Sequence, residues 1–211
     1  MKFDIEGRIN NLRVPSNRTG LSYSIYEAVS NAVHAIEERF GVDHFARRGV
    51  ITVSIEFDKE KNLKHIAVLD NGIGLNGKHL RSFETCDTRE KRSIGGRGVG
   101  RLIWAKVFQN ILVRSVYEVG LDKCEEVSFT FDPREEESLV GVKYSPASVD
   151  EVGTKIILGG IRPEQNAAIG KGPLTRQLCH HFFPMFIAGG MPRLIAAIGP
   201  NPRDIGSYLS Q

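Results

Sequence analysis

Seven glycines fall between residues 71 and 100, at positions 72, 74, 77, 95, 96, 98 and 100. They sit among polar and charged side chains, so the stretch offers little apolar surface to bury. It is long for a connection inside one domain, and connections of that length usually carry function or are disordered. The fold must therefore hold this segment between two well-formed elements, and the flanks supply them. Residues 50–57 (V-I-T-V-S-I-E-F) alternate like a half-buried strand. Residues 58–63 make a polar turn, and residues 64–69 give a second strand running straight into Asp70. Beyond the glycines, residues 99–109 (V-G-R-L-I-W-A-K-V-F-Q) return to helical spacing.

Upstream, Leu21, Ile25, Ala28, Val29, Ala32, Ile36 and Phe40 recur on one face, which predicts an amphipathic helix over 21–40 ended by Gly41. Downstream, strands are expected at about 110–118, 124–131, 139–145 and 153–158. Helix, strand pair, glycine segment, helix, strands is the order of an α+β chain. The expected architecture is a two-layer α/β sandwich, a mostly antiparallel sheet with helices on one face, over residues 1–160. Residues 159–172, rich in Gly, Pro and Asn, read as a linker. Residues 173–188 read as a helix opening on Pro173, with Pro184 kinking or shortening it, and 192–198 as one more strand. Residues 161–211 are thus expected to begin a transducer-like second domain that the chain does not complete.

Charge and cysteines exclude more than they select. A net charge of +3 gives no ground for a nucleic-acid or membrane surface. No apolar run is long enough to span a bilayer, and the first residues, M-K-F-D-I-E, contain no leader-like apolar region. Cys86, Cys124 and Cys179 are too sparse for a disulfide framework, so reduced thiols in a cytoplasmic protein are expected.

Three segments carry chemistry. Glu27 and Asn31 stand four apart in E-A-V-S-N-A-V-H-A and so share a helix face. A carboxylate beside an amide can hold a cation and a water, although periodicity alone also fits a solvated polar face. Asp70-Asn71-Gly72-Ile73-Gly74 follows a strand. Its glycines let backbone approach a ligand, and an Asp there can accept from an exocyclic amine, selecting adenine over guanine. An Asn-Gly turn is the plain alternative. Ser93-Ile94-Gly95-Gly96-Arg97-Gly98-Val99-Gly100-Arg101 opens a helix, where successive glycine N–H groups suit an anion. No Gly-Lys-Ser/Thr follows, so this is not a Walker A loop, and no strand precedes it as a dinucleotide-binding loop requires.

In order, Glu-x-x-x-Asn, Asp-x-Gly-x-Gly, Gly-x-x-Gly-x-Gly and a downstream Gly-Thr strand resemble the GHKL superfamily of gyrase B subunits, ninety-kilodalton heat-shock chaperones, histidine kinases and MutL proteins. The likeness covers about residues 20–160 and implies the Bergerat fold. It implies that Glu27 is the general base orienting the attacking water and Asn31 the magnesium ligand. Asp70 becomes the adenine contact, assisted by Thr154, with Gly72 and Gly74 shaping the pocket floor. Gly95, Gly96, Gly98, Val99 and Gly100 become the phosphate-binding lid. The implied cofactors are ATP and Mg2+, and the implied partners are a second subunit recruited by ATP and an unidentified client. Glu27 and the G-V-G-R-L-I-W-A-K-V-F segment resemble bacterial heat-shock-chaperone-like and MORC-like ATPases. E-A-V-S-N-A-V-H also resembles anti-sigma and histidine kinases, and a non-hydrolysing ATP sensor is a third alternative. His34 stands where many members carry Asp. Arg97 and Arg101 flank the lid and are expected either on phosphate or in solvent. His180 and His181 beside Cys179 suggest a metal, but adjacent helical residues point apart.

Overall fold

The computed structural model describes residues 4–14, 18–60, 62–84, 100–163, 173–198 and 201–208. Strand alternation determines which face of the sheet is covered. The strands are β1 (Val50–Phe57), β2 (Leu63–Asp70), β3 (Phe108–Gly120), β4 (Lys123–Phe131), β5 (Leu139–Ala147), β6 (Gly153–Ile161), β7 (Arg193–Ile198) and β8 (Arg203–Asp204). They form one sheet in the order β5-β4-β3-β6-β2-β1-β7-β8. Every neighbouring pair is antiparallel except β1 and β7.

The register lines up the buried face in cross-strand rows. One row runs Ala196, Val53, Val68, Ile156, Val113, Phe129, and all six are buried. The row beside it runs Leu194, Ile51, Asp70, Thr154, Ser115, Val127. Three adjacent polar residues thus interrupt an otherwise apolar face, and all three are buried. Buried polar groups are costly unless hydrogen-bonded, so this row marks where the sheet does something besides pack.

Helices cover that face. α2 (Arg18–Phe40) lies over β1 and β2, and α5 (Gly100–Val107) lies beside α2 and against β3. The apolar stripe of α2 is buried as its spacing predicts, from Leu21 through Ile36. Gly41, at φ +75°, ends it with a backbone bond to the Glu37 carbonyl. Trp104, fully buried, ties α5 to α2 by donating to the Ser24 carbonyl at 2.9 Å. At the other end of α5, the guanidinium groups of Arg134 and Arg162 both donate to the Ala105 carbonyl. Cations at a helix C-terminus satisfy its last acceptors and oppose its dipole. The result is the α+β two-layer sandwich with a mostly antiparallel sheet.

Several segments differ from their expected form. Within residues 71–100, Gly77–Glu84 forms a helix, α4, where only loop was expected. Its apolar content is essentially Leu80 and Phe83, both packed against the core, and its start is set by Asn76, whose Oδ1 accepts from the Lys78 and His79 N–H groups. Short helices α1 (Ile5–Asn10) and α3 (Phe45–Arg48) likewise carry too few apolar positions to show a period. Gly159 and Gly160, read as the start of a linker, continue β6 to Ile161, with Gly159 paired to Asn110.

The tail joins the same sheet. α6 (Pro173–Ile187) sits against α2, where Tyr26 and His181 stack with centroids 3.7 Å apart and Ser22 Oγ donates to Gln177 Oε1 at 2.7 Å. His181 also meets the Phe182 ring edge-on, and burial lowers its pKa. β7 then pairs in parallel with β1. Cys124 and Cys179 are free and buried, and among the described residues no His/Cys/Asp/Glu group is placed to hold a metal. No helix among them is long and apolar enough to cross a membrane.

Candidate functional site

One stripe of α2 runs along the whole site. Glu27, Asn31, Ala35 and Arg39 recur at a spacing of four, which carries them about 18 Å along the helix axis. Each meets a different part of the chain.

At one end, Asn31 Nδ2 donates to Glu27 Oε1 at 3.1 Å. Both side chains are half-buried, unlike the exposed His34. The bond turns the amide nitrogen of Asn31 toward the carboxylate and leaves its carbonyl oxygen as the end able to meet a cation. Gly100, the first residue of α5, lies directly against the pair: a Cβ there would overlap the Glu27 carboxylate. In place of a merely solvated polar face, the Glu27 carboxylate is half-buried against the first residue of α5, and a helix N-terminus is an end where unpaired N–H groups favour anions. Gly95, Gly96, Gly98 and Val99, the rest of the expected lid, lie outside the described residues, as does Arg97.

In the middle, Ala35 positions the Asp-x-Gly-x-Gly loop. Its carbonyl accepts from the Ile73 N–H at 3.0 Å. A Cβ on Gly72 would come within 2.6 Å of Ala35 Cβ, so only glycine lets the loop lie this close to the helix. Gly74 adopts φ +76° and faces the Val116 carbonyl.

At the far end is the polar row of the sheet. Asp70 Oδ1 accepts from the Gly72 N–H at 2.7 Å and from the Thr154 N–H at 3.3 Å. Both bonds converge on one oxygen, so Oδ2 is the one left for another donor. Burial dominates the ionisation of Asp70 and pushes its pKa up to about 7, against the opposing pull of those two N–H groups and of the Arg39 charge. Thr154 Oγ1 lies 2.8 Å from Ser115 Oγ, which also accepts from the Leu75 N–H at 2.8 Å. Ser115 thereby joins the loop after Asp70 to the threonine beside it. Gly153, at φ +148°, packs its α-carbon against the Asp70 carbonyl, which a Cβ would overlap. Gly153→Ala is expected to destabilise the fold by about 2–4 kcal/mol, from backbone strain plus overlap. In a chain of this size that lowers the melting temperature by roughly 10 °C, and an unchanged melting curve would contradict the close approach.

The structure thus brings Glu27, Asn31 and Gly100 together at one end of the stripe and Asp70 and Thr154 together at the other, with the Gly72–Gly74 loop joining Asp70 to the middle of the stripe. Arg101 neither faces solvent nor reaches outward. It is buried, donates to the Ser82 carbonyl at 3.2 Å and lies 4.7 Å from the Phe83 ring centre, joining α5 to α4. Three residues of the site escaped the sequence reading. Ser115 was accessible, since strand alternation from Ile111 and Val113 places it on the buried face. Arg39 and Ala35 continue the four-residue spacing from Glu27.

The carboxylate-and-amide pair fits a magnesium ion of the sort that keeps most of its ligands as phosphate oxygens and water. Asn31 Oδ1 would supply the protein's oxygen. The family described as histidine kinase-, DNA gyrase B-, and HSP90-like ATPase matches over residues 16–155, more than half of the chain. No curated protein matches it.

Proposed function

Because the chain belongs to the histidine kinase-, DNA gyrase B- and HSP90-like ATPase family, we propose that its ATP-binding domain hydrolyses ATP, with Glu27 as general base. The observation that carries this is the contact between Glu27 and Gly100. A terminal phosphate bound at the N-terminus of α5 would lie beside this carboxylate, which could then take a proton from a water between them. Adenine would lie at the other end of the stripe, its exocyclic amine donating to Asp70 Oδ2. Thr154 would complete that edge. Residues 95–100 would close over the phosphates, and pairing of two subunits would follow.

In the reaction, water oxygen bonds to the γ-phosphorus as the bond to the β–γ bridging oxygen breaks. Glu27 takes the water proton, and ADP and phosphate leave. Magnesium, when bound, neutralises charge on the phosphate oxygens. The residues of this chain do the rest. Asn31 fixes the Glu27 carboxylate through its amide, and α5 presents its N–H groups. A carboxylate at position 27 can take a proton from water, which an amide cannot, and this supports the hydrolytic reading.

Calorimetric titration with ATP and with GTP, each with and without magnesium, is the direct test. ATP binding that requires magnesium and exceeds GTP binding at least tenfold is expected. Equal binding of ATP and GTP would remove the Asp70 assignment. Binding of neither would remove the function.

A further inference from the structure

Arg39 reaches both chain segments that flank the Asp70–Thr154 pair. Its Nη1 donates to the Asn71 carbonyl at 2.9 Å and to the Val152 carbonyl at 3.0 Å. Asn71 follows Asp70 at the end of β2, and Val152 precedes Gly153 and Thr154 at the start of β6. Asp70 and Thr154 are direct partners in the ladder between those strands. One guanidinium therefore bridges the chain on either side of the pair. Its side chain is only 21% exposed, and the carbonyls it holds belong to the residues just beyond the end of β2 and just before the start of β6.

We propose that Arg39 is a positioning residue of this pocket, holding the Asp70 and Thr154 segments at the separation the adenine edge requires. The proposal rests on the ATP reading of the site. Arg39 touches neither the nucleotide nor the reacting atoms; it acts through Asp70 and Thr154. Neighbouring groups support a role tuned for charge as well as shape. Glu118 on β3, 60% exposed, lies 3.8 Å from Arg39 Nη2. The Phe40 ring carries Arg39 on it at 5.1 Å and Arg48, from α3, at 4.5 Å. The Cys124 thiol on β4 is raised by burial and by Glu118, against the Arg39 charge. Among these groups Arg39 is the one whose charge favours the ionised form of Asp70, the form whose Oδ2 accepts from an amine. Both bonds leave one nitrogen, so lysine keeps the charge and a donor for the carbonyls but loses Nη2, the atom that faces Glu118, and the fixed planar geometry of the guanidinium.

The test compares wild type, Arg39→Met and Arg39→Lys. The Asp70 carboxyl carbon is followed by NMR from pH 5 to 9 in the nucleotide-free protein, and ATP affinity is measured calorimetrically across the same range. Arg39→Met is expected to move the Asp70 midpoint upward by at least half a pH unit and to weaken ATP binding about tenfold or more at pH 7. Arg39→Lys should restore the midpoint while recovering only part of the affinity. A purely structural arginine would lower the melting temperature of Arg39→Met and leave both the Asp70 midpoint and the pH profile of ATP binding in place, which would overturn the proposal. Wild type that fails to bind ATP overturns the functional reading instead. The NMR midpoint still tests the coupling of Arg39 to Asp70 in that case, and an unmoved midpoint would overturn it too.

Discussion

Glu27→Gln is expected to lower the ATP turnover number by at least about a hundredfold, the low end of what a positioned general base contributes. Glutamine keeps the size of the side chain and an oxygen that can accept from Asn31 Nδ2, so the local geometry survives. What disappears is the group that takes the proton. Affinity should hold or improve, because the substitution removes a negative charge beside the phosphates. Gly100→Ala should lower turnover by a different route. Alanine suits a helix, but its Cβ would overlap the Glu27 carboxylate and drive it aside. Steady-state turnover together with calorimetric ATP affinity separates the cases. Equal turnover in Glu27→Gln and wild type would place the base elsewhere. Joint loss of binding and turnover in both variants would mean that this end of the stripe holds nucleotide and does not activate water.

How much of this site is legible in the sequence depends on how local each signal is. β1 is read residue for residue because its alternation is uninterrupted over 50–57. The Glu27–Asn31 pair is visible as a spacing, yet the burial of Glu27 is not, since the residue against its carboxylate is Gly100, about seventy positions away. α4 hides because two apolar residues, Leu80 and Phe83, cannot define a period, and the only local cue is Asn76 as an N-cap. The parallel pairing of β7 with β1 joins residues about 140 apart and has no local signature. Arg39 is the instructive case. Its spacing from Glu27, Asn31 and Ala35 was present in the sequence, but a charged residue on the last turn of a helix normally reads as a solvated end. Only the two carbonyls beneath it reveal another task.

Asp70→Asn should divide binding from stability in opposite directions. In ATP binding, Oδ2 of the carboxylate is replaced by an amide nitrogen that faces the adenine amine donor to donor. Loss of a hydrogen bond to a charged acceptor costs about 1.5–3 kcal/mol, which weakens ATP roughly 10- to 150-fold at pH 8. In the nucleotide-free protein the same substitution should help. The folded chain keeps the Asp70 proton up to about pH 7, whereas the unfolded chain releases it near pH 4. Between those values the folded state binds more protons, so this group's contribution to stability is complete below about pH 4 and is lost as pH rises through about 7. Above that, the buried carboxylate costs up to about 4 kcal/mol. Asparagine escapes this cost, and its Oδ1 still accepts from the Gly72 and Thr154 N–H groups. The melting temperature of Asp70→Asn should therefore exceed that of wild type at pH 8 and converge with it at pH 4. Melting curves at both pH values check this. A difference that does not change with pH would show that Asp70 is already ionised in the folded chain throughout. Because ATP needs the ionised form, the same site predicts that wild-type ATP affinity rises as pH passes through about 7, a rise that Asp70→Asn should lack.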